Sequence, residues 1–324
     1  MHKKEMISHI EDICFKAYKA SNTLSHATTH AKNEALEKIA KHIQKDKKMI
    51  LEANIIDMDI AKRKNISDAL LDRLFLDESR LDNIISGVYN IINLEDPIGS
   101  EIKRWKPSNG IDMCQTRVPI GVIGIIYESR PNVTADASAL ALKSGNCIIL
   151  RGGSESFYSS AAIVNSIKNG LKSSQLSEDC VNMVNTIDRD AVGLLLNMHK
   201  YVNLIIPRGG KALIERVQID SKIPVLSHLD GLCHTYIDVD ANKEMAINIV
   251  LNAKMRRTGV CGATETLLCH KDVIINILPD IINKLIEQGC EIRADKNIKV
   301  LNHNIKNATI EDWQTEYLDK ILSI

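Results

Sequence analysis

Aromatic residues are scarce in this chain: phenylalanine, tryptophan and tyrosine together make up 4% of its 324 residues. An excess of charge of one sign is also lacking, since 41 lysines and arginines are balanced by 41 aspartates and glutamates. Proteins that bind nucleic acids carry a basic surface, and those that bind single strands add aromatic side chains on which bases stack. A nucleic-acid partner is therefore not expected.

The sequence also lacks a long hydrophobic run. The longest apolar stretch, 118–127, is about half of the roughly 20 residues that a transmembrane helix needs. The charged start Met1-His-Lys-Lys-Glu lacks the apolar core of a signal peptide. We therefore expect a cytoplasmic protein with no membrane partner.

The eight cysteines include no CxxC pair and follow no regular spacing. Disulfide frameworks and zinc sites show such patterns, so we expect reduced thiols and no metal ion. Hydrophobic residues make up 44% of the chain, which is core enough for two domains.

The amino-terminal part has apolar residues at spacings of three and four, as in Ile10, Cys14 and Ala17, which predicts helices. The turn 107–110 then separates two candidate strands, so we predict a hairpin over 100–118. A hairpin is marginally stable alone, and we interpret this one as an oligomerisation arm.

From Pro119 onward, apolar strands alternate with helical segments, which predicts an α/β fold with a mostly parallel sheet and helices on both faces. We place one domain at 1–223 and a second α/β domain at 224–324. The predicted strands are 122–127, 147–150, 181–185, 202–206, 224–228, 234–238 and 266–270. The predicted helices between and after them are 133–144, one opened by Ser154, 189–199, 211–217, 242–253 and 273–288.

Cys261 stands between glycines, behind Lys254, Arg256 and Arg257, where a loop meets a strand. A thiol reacts as its thiolate, which these cations would favour, and glycines let a substrate approach. The pattern therefore predicts a nucleophile. The alternative is a buried cysteine in a glycine turn, which packs as a small hydrophobic residue.

Two strand-to-helix junctions end in a glycine pair that exposes backbone N–H groups at a helix start, as phosphate sites do. Neither matches a GxGxxG or P-loop motif, and each is alternatively an ordinary turn with a serine cap. The candidate nucleotide-binding residues are Arg151, Gly152, Gly153 and Ser154 in the first junction and Arg208, Gly209 and Gly210 in the second.

Asn132 and Arg130 follow the predicted strand 122–127, beside Pro131, which ends it. The Asn132 amide suits an oxyanion that develops on an acyl carbonyl, and Arg130 suits an anionic substrate group. Alternatively, Asn132 caps the helix that follows.

Several motifs together resemble the gamma-glutamyl phosphate reductases, a family of the aldehyde dehydrogenase superfamily, over nearly the whole chain. They are 118–134 (VPIGVIGIIYESRPNVT), 205–210 (IIPRGG), 229–238 (LDGLCHTYID), 257–268 (RTGVCGATETLL) and 313–318 (WQTEYL). The resemblance implies an aldehyde dehydrogenase-like fold, with a Rossmann-type nucleotide-binding domain and a catalytic cysteine domain.

The resemblance further implies the NADPH-dependent reduction of L-glutamyl 5-phosphate to L-glutamate 5-semialdehyde in proline biosynthesis. Cys261 would form a thioester, Asn132 would hold the oxyanion, and Glu316 would face the nicotinamide ribose. Arg130, Arg256 and Arg257 would contact the substrate. A homo-oligomer is expected, with glutamate 5-kinase as a further partner. On the residues alone, Glu316 is alternatively a solvated helix residue.

The sequence differs from hydrolytic aldehyde dehydrogenases in one stretch and from the family that it resembles at its end. The stretch 227–231 (SHLDG) lacks the general-base glutamate of hydrolytic aldehyde dehydrogenases, which supports phosphate exchange over hydrolysis. The chain stops at Ile324, before the end of the family pattern, so we expect a truncated and unstable catalytic domain. Two alternatives stay open: a relative that uses coenzyme A, and an inactive remnant that binds only a nucleotide or a partner.

Overall fold

The computed structural model describes residues 3–66, 68–227 and 230–324. It divides into two compact units, Met1–Ser227 and His228–Ile324. Each unit has its own cluster of buried hydrophobic side chains.

The first unit begins with helices whose apolar stripes lie in its core, as the spacing of Ile10, Cys14 and Ala17 predicts. Gly170, on a later helix, lets the backbone of one of them approach closely, because an added Cβ would lie 2.6 Å from Ile39 Cα. The amino-terminal helices are α1 (Lys3–Leu24), α2 (Thr29–Lys45), α3 (Lys47–Arg63), α4 (Asp68–Leu74) and α5 (Glu78–Ile92).

The predicted hairpin is present. Strands β1 (Glu101–Trp105) and β2 (Met113–Thr116) pair antiparallel as a separate two-stranded sheet. Every residue of both strands is exposed.

A four-stranded parallel sheet forms the centre of the first unit, in the order β5-β4-β3-β6. The sequences of its strands are continuous apolar runs, because helices cover the sheet. The strands are β3 (Val122–Tyr127), β4 (Cys147–Arg151), β5 (Val181–Met183) and β6 (Leu204–Arg208). The helices are α6 (Pro131–Lys143), α7 (Phe157–Lys172), α8 (Asp190–Leu195) and α9 (Lys211–Asp220).

The predicted strands 181–185 and 202–206 are Val181–Met183 and Leu204–Arg208 in the structure, and two other predicted elements of this part differ more. The predicted helix 189–199 ends at Leu195, after which Asn197 and Met198 donate to carbonyls three residues back and tighten the chain into turns. The predicted strand 224–228 is reduced to an isolated bridge between Val225 and Ile205. Its last residue, His228, lies outside the described residues.

The second unit contains a five-stranded sheet in the order β10-β9-β11-β8-β7, with parallel pairing throughout. The predicted helix 273–288 begins only at Leu278, because Pro279 lacks an N–H and fits the first turn of a helix. The strands are β7 (Cys233–Ile237), β8 (Thr264–Cys269), β9 (Glu291–Ala294), β10 (Lys306–Asn307) and β11 (Ile321–Ser323). The helices are α10 (Lys243–Met255), α11 (Leu278–Glu287) and α12 (Lys296–Lys299).

Candidate active site

The strand order of the first sheet reverses between β3 and β6, because β4 and β5 lie on one side of β3 and β6 on the other. Ligands of open parallel sheets bind outside the carboxyl ends of the strands at such a reversal. The loops that leave β3, β4 and β6 meet there, and we call them the switch-point loops: 128–130, 152–156 and 209–210.

A carboxylate of the protein, that of Glu128, already binds the N-terminus of α9. Gly210 N donates to Glu128 Oε2 at 2.9 Å, and a Cβ added to Gly209 would lie 2.5 Å from the same oxygen. A helix start favours negative charge, and here a carboxylate supplies it. A phosphate could bind at Gly209 and Gly210 only after Glu128, which is exposed, moves aside.

The start of α7 is held by a carboxylate as well. Asp57, which is buried in α3, accepts from Tyr158 N at 3.1 Å and from Ser159 N at 2.7 Å. Ser156 stands at the N-cap position of α7, as the serine-cap alternative expects, but neither its side chain nor that of Ser154 makes a capping hydrogen bond. Asp57 thus occupies two N–H groups in the first turn of α7. The glycine pair Gly152 and Gly153 and Ser154 lie before this turn, and their role as phosphate donors stays a prediction.

Glu155 joins the loops after β3 and β4. Its Oε1 accepts from Ser129 N at 2.9 Å and from Ser129 Oγ at 2.7 Å. These bonds hold Ser129 at φ 45°, in the left-handed region that side chains rarely adopt. A Cβ on Gly153 would lie 2.3 Å from Glu155 Oε1, so a side chain at this position would displace the Glu155 carboxylate.

Arg151 does not present its charge to a ligand. The side chain is buried, and its guanidinium donates to the carbonyl oxygens of Ile187 and Asp188, at 3.2 Å each, and to that of Gly152. This differs from the predicted phosphate contact. Carbonyl oxygens accept from both terminal nitrogens of the guanidinium, so Arg151 holds the loops together, while its buried Nε makes no hydrogen bond with the described residues. By contrast, Arg208 is exposed.

Asn132 lies in the first turn of α6, which begins at Pro131 with Arg130 as its N-cap residue. Its Nδ2 donates to Asp136 Oδ2 at 3.0 Å, and it makes no cap, so the capping alternative is wrong. An amide nitrogen has two hydrogens, and the second can donate to a substrate oxygen. Arg130 is half-buried beside it.

In the second unit, three segments meet at the amino edge of the sheet. Gly231 precedes β7, Cys261 precedes β8 and Glu316 precedes β11, and these strands are parallel neighbours around β8. A Cβ added to Gly231 would lie 2.7 Å from Cys261 O, 2.9 Å from Glu316 Oε1 and 3.3 Å from Cys261 Cβ. The structure thus brings together Cys261 and Glu316, which the sequence separates widely.

Cys261 is exposed, so the alternative of a buried core cysteine is wrong. Its carbonyl oxygen accepts from Cys233 Sγ at 3.2 Å. Arg256 and Arg257 are exposed in the same loop, where an anionic group could meet them. Glu316 is half-buried in an extended segment, which excludes the solvated-helix alternative.

Lys254 does not serve the thiol as predicted. Its Nζ lies 2.6 Å from Glu265 Oε2, and the two side chains are 0% and 1% exposed. Glu265 Oε1 also accepts from Leu318 N at 3.3 Å. The lysine charge is therefore directed to a carboxylate on β8, and the pair fixes both ends of the loop that carries Cys261.

Sequence reasoning missed the residues that position the site: Gly231, Glu265, Glu128 and Asp57. Glu128 follows β3 directly and could have been noticed as an anion at the carboxyl edge. The partners of Glu265 and Gly231 depend on contacts between distant segments, for which the sequence holds no local signal.

The described residues 3–66, 68–227 and 230–324 contain neither a metal-binding cluster nor a membrane-spanning helix. No group of three or more histidine, cysteine, aspartate and glutamate side chains among them could hold a metal ion. No helix within them is long and apolar enough to cross a membrane.

Comparisons with known proteins agree with this geometry. A model of the aldehyde dehydrogenase family matches residues 4–317. The gamma-glutamyl phosphate reductase of Paramagnetospirillum magneticum is 48% identical over 324 residues, which are 100% of this chain and 77% of that protein. That of Ruthia magnifica is 50% identical over 310 residues, 95% of this chain and 74% of that protein.

A solved structure gives the same result. The crystal structure of gamma-glutamyl phosphate reductase from Thermotoga maritima is similar, with a TM-score of 0.92 and 40% identity over 98% of this chain and 76% of that chain. The predicted aldehyde dehydrogenase-like α/β fold is confirmed. The chain spans about three-quarters of the length of these relatives. It belongs to the gamma-glutamyl phosphate reductases of the aldehyde dehydrogenase family.

Proposed function

We propose that this chain reduces L-glutamyl 5-phosphate to L-glutamate 5-semialdehyde, with release of phosphate, in proline biosynthesis. The observation that carries the proposal is the meeting of an exposed Cys261 with Glu316 at Gly231. An accessible thiol in a loop held at both ends can attack an acyl carbon. Family membership supports the acyl phosphate as its substrate.

In the proposed reaction the Cys261 thiolate attacks the acyl carbon, and the carbon–oxygen bond to phosphate breaks with its electron pair leaving on phosphate. The thioester that results stays on Cys261. A reduced nicotinamide held by the switch-point loops would supply the hydride that reduces this thioester. The Cys261 N–H and the second Asn132 amide hydrogen stabilise the oxyanion until it collapses, which frees the aldehyde and the thiolate.

Membership in the aldehyde dehydrogenase family implies a nicotinamide cofactor, NAD or NADP. The switch-point loops suit such a group, because the α9 start can take a phosphate once Glu128 moves, and the carboxylates of Glu128 and Glu155 suit ribose hydroxyls. Our finer proposal is NADPH, with the exposed Arg208 as the cation for its extra phosphate.

The first test follows the reverse reaction. NADPH formation is measured with glutamate semialdehyde and NADP, with and without phosphate, for the wild-type chain, Cys261→Ser and the matched control Cys233→Ser. We expect phosphate-dependent NADPH formation that Cys261→Ser abolishes and Cys233→Ser retains. Replacing NADP with NAD in the same assay tests the cofactor preference.

Three results would contradict the proposal. Activity that needs coenzyme A in place of phosphate would identify an acylating relative. Activity that survives Cys261→Ser would exclude Cys261 as the nucleophile. No turnover by a folded chain that binds NADPH would favour the inactive remnant.

A further inference from the structure

The first unit contains a polar cavity of about 280 Å³ between the end of α4, the start of α5 and the start of α6. Its polar lining consists of Arg73, Arg80, Asn83, Asn132 and Asp136. This volume is just below the usual range of ligand pockets, about 300–1,000 Å³. It suits a small charged molecule better than a nucleotide.

Asp136 is the acidic group of this cavity. Its hydrogen bond comes from the neutral Asn132 amide at 3.0 Å, and α5 passes close by, with a Cβ on Gly87 placed 3.7 Å from Asp136 Oδ1. Burial raises the pKa of this carboxyl, which the Asn132 hydrogen bond only partly offsets. Asp136 is half-buried, and a carboxylate partly removed from water is costly unless a cation joins it, so a cationic ligand would gain most at this point.

Arg80 and Arg73 supply positive charge to the same cavity. The Arg80 guanidinium is held in place by Asp72 Oδ1 at 2.6 Å, by Phe75 O at 3.0 Å and by the Phe75 ring, whose centroid is 5.3 Å away. Asp72 thus shares the Arg80 charge as an ion pair, and a guanidinium fixed in this way can bind a second carboxylate through its remaining N–H groups. The cavity thus offers one acidic group, two guanidinium groups and two amides.

We propose that this cavity binds the ammonium and carboxylate groups on the α-carbon of an amino acid, with Asp136 taking the ammonium and Arg80 and Arg73 the carboxylate. The inference rests on the proposed function, because it assigns the cavity to the glutamyl end of the substrate. It makes Asp136 and Arg80 the residues that distinguish an amino-acid substrate from a simple aldehyde.

Calorimetry on the whole chain tests the proposal without turnover. The ligands are L-glutamate, glutarate, which lacks the ammonium group, and 4-aminobutyrate, which lacks the α-carboxylate. We expect L-glutamate to bind roughly 10-fold or more tightly than either analogue, since a site built for a polar group rejects ligands without it.

Two substitutions test which residue binds which group of the ligand. Asp136→Asn should abolish the preference for L-glutamate over glutarate, and Arg80→Gln the preference over 4-aminobutyrate. The matched control is Asp82→Asn, an exposed carboxylate of α5 outside the cavity lining, which should retain both preferences. Thermal melts show whether each variant is folded. If a variant does not fold, Asn83→Ala, which changes another polar residue of the cavity lining, replaces it in the binding measurements.

The outcomes separate this proposal from the proposed function. Equal binding of glutarate and L-glutamate, no binding by the folded chain, or an unchanged preference in Asp136→Asn would overturn it. The expected binding pattern in a chain without phosphate-dependent turnover would support amino-acid binding in the cavity and contradict the proposed reaction.

Discussion

Lys254 and Glu265 form an ion pair with 2.6 Å between Nζ and Oε2, and neither side chain is more than 1% exposed. Lys254 lies in the last turn of α10 and Glu265 near the start of β8, so the pair closes the loop that carries Cys261. Through Leu318 N the same carboxylate holds the segment that carries Glu316. Both predicted active-site groups of the second unit depend on this buried pair.

Lys254→Met should destabilise the chain by about 3–5 kcal/mol, because it leaves the Glu265 charge buried and unpaired. The measurement is urea unfolding. Lys243→Met on the same helix is the control, since its partner Asp280 and Lys243 itself are exposed and such pairs contribute about 0–1 kcal/mol. Lys254→Met combined with Glu265→Leu should recover most of the loss. Equal effects of Lys254→Met and the control would contradict the role of the pair.

Gly231→Ala should lower kcat by about tenfold or more while changing the melting temperature little. The added Cβ would meet the Cys261 carbonyl oxygen at 2.7 Å, and a backbone atom cannot rotate away as a side chain does. Small misplacement of a nucleophile is enough for such a loss. Gly262→Ala is the matched control, because its Cβ would meet no atom within 4 Å. Similar kcat values for the two variants would show that the contact is unimportant.

Asp312 should make the stability of the second unit sensitive to acid. Burial alone would raise the pKa of Asp312, but hydrogen bonds from Thr309 N, Arg293 and Tyr317 outweigh it, and the pKa is lowered. A lowered pKa in the folded state stabilises the protein above the unfolded value, about pH 4, and this contribution is lost as the pH falls further.

We therefore expect Asp312→Asn to be less stable than wild type at pH 7 and to lose less stability between about pH 4 and pH 2. Denaturant unfolding over a pH series measures both effects. The exposed Asp240→Asn should follow the wild-type curve. An Asp312→Asn curve parallel to wild type would contradict the assignment.

The hairpin of β1 and β2 should contribute to an oligomer interface. Its strands pair only with each other in the part of the chain that the structure describes, and Ile102, Trp105 and Met113 are 50%, 39% and 41% exposed. Isolated two-stranded hairpins are marginal, and exposed apolar strands favour pairing with another chain. Ile102→Lys should reduce the molar mass measured by light scattering, and Lys103→Gln should not. A monomeric wild-type chain would contradict the role of the hairpin as an oligomerisation arm.

Sequence reasoning located much of the parallel sheet of the first unit. Strand β3 has the predicted bounds, because a short continuous apolar run between Gly121 and Glu128 is typical of a buried strand. The late start of α11 could also have been predicted from Pro279, whose missing N–H places it in a first turn. These features depend on local chemistry.

The partners of charged groups could not be predicted. Lys254 stands near Cys261 in sequence, yet its side chain pairs with Glu265, and Arg151 turns to the carbonyl groups of Ile187 and Asp188. The carboxylates at the starts of α7 and α9 come from Asp57 and Glu128, far away in sequence. Tertiary packing decides such contacts, and a single sequence does not display it.

Strand β11 lies between β8 and β9, although both precede it in the chain by tens of residues. During synthesis, β8 and β9 therefore leave the ribosome before the strand that joins them, and each then presents an unpaired edge. Non-local pairing of this kind is slow, and open edges invite aggregation. The yield of folded protein should thus depend on how quickly residues 321–323 follow, and chaperones that shield strand edges should raise it.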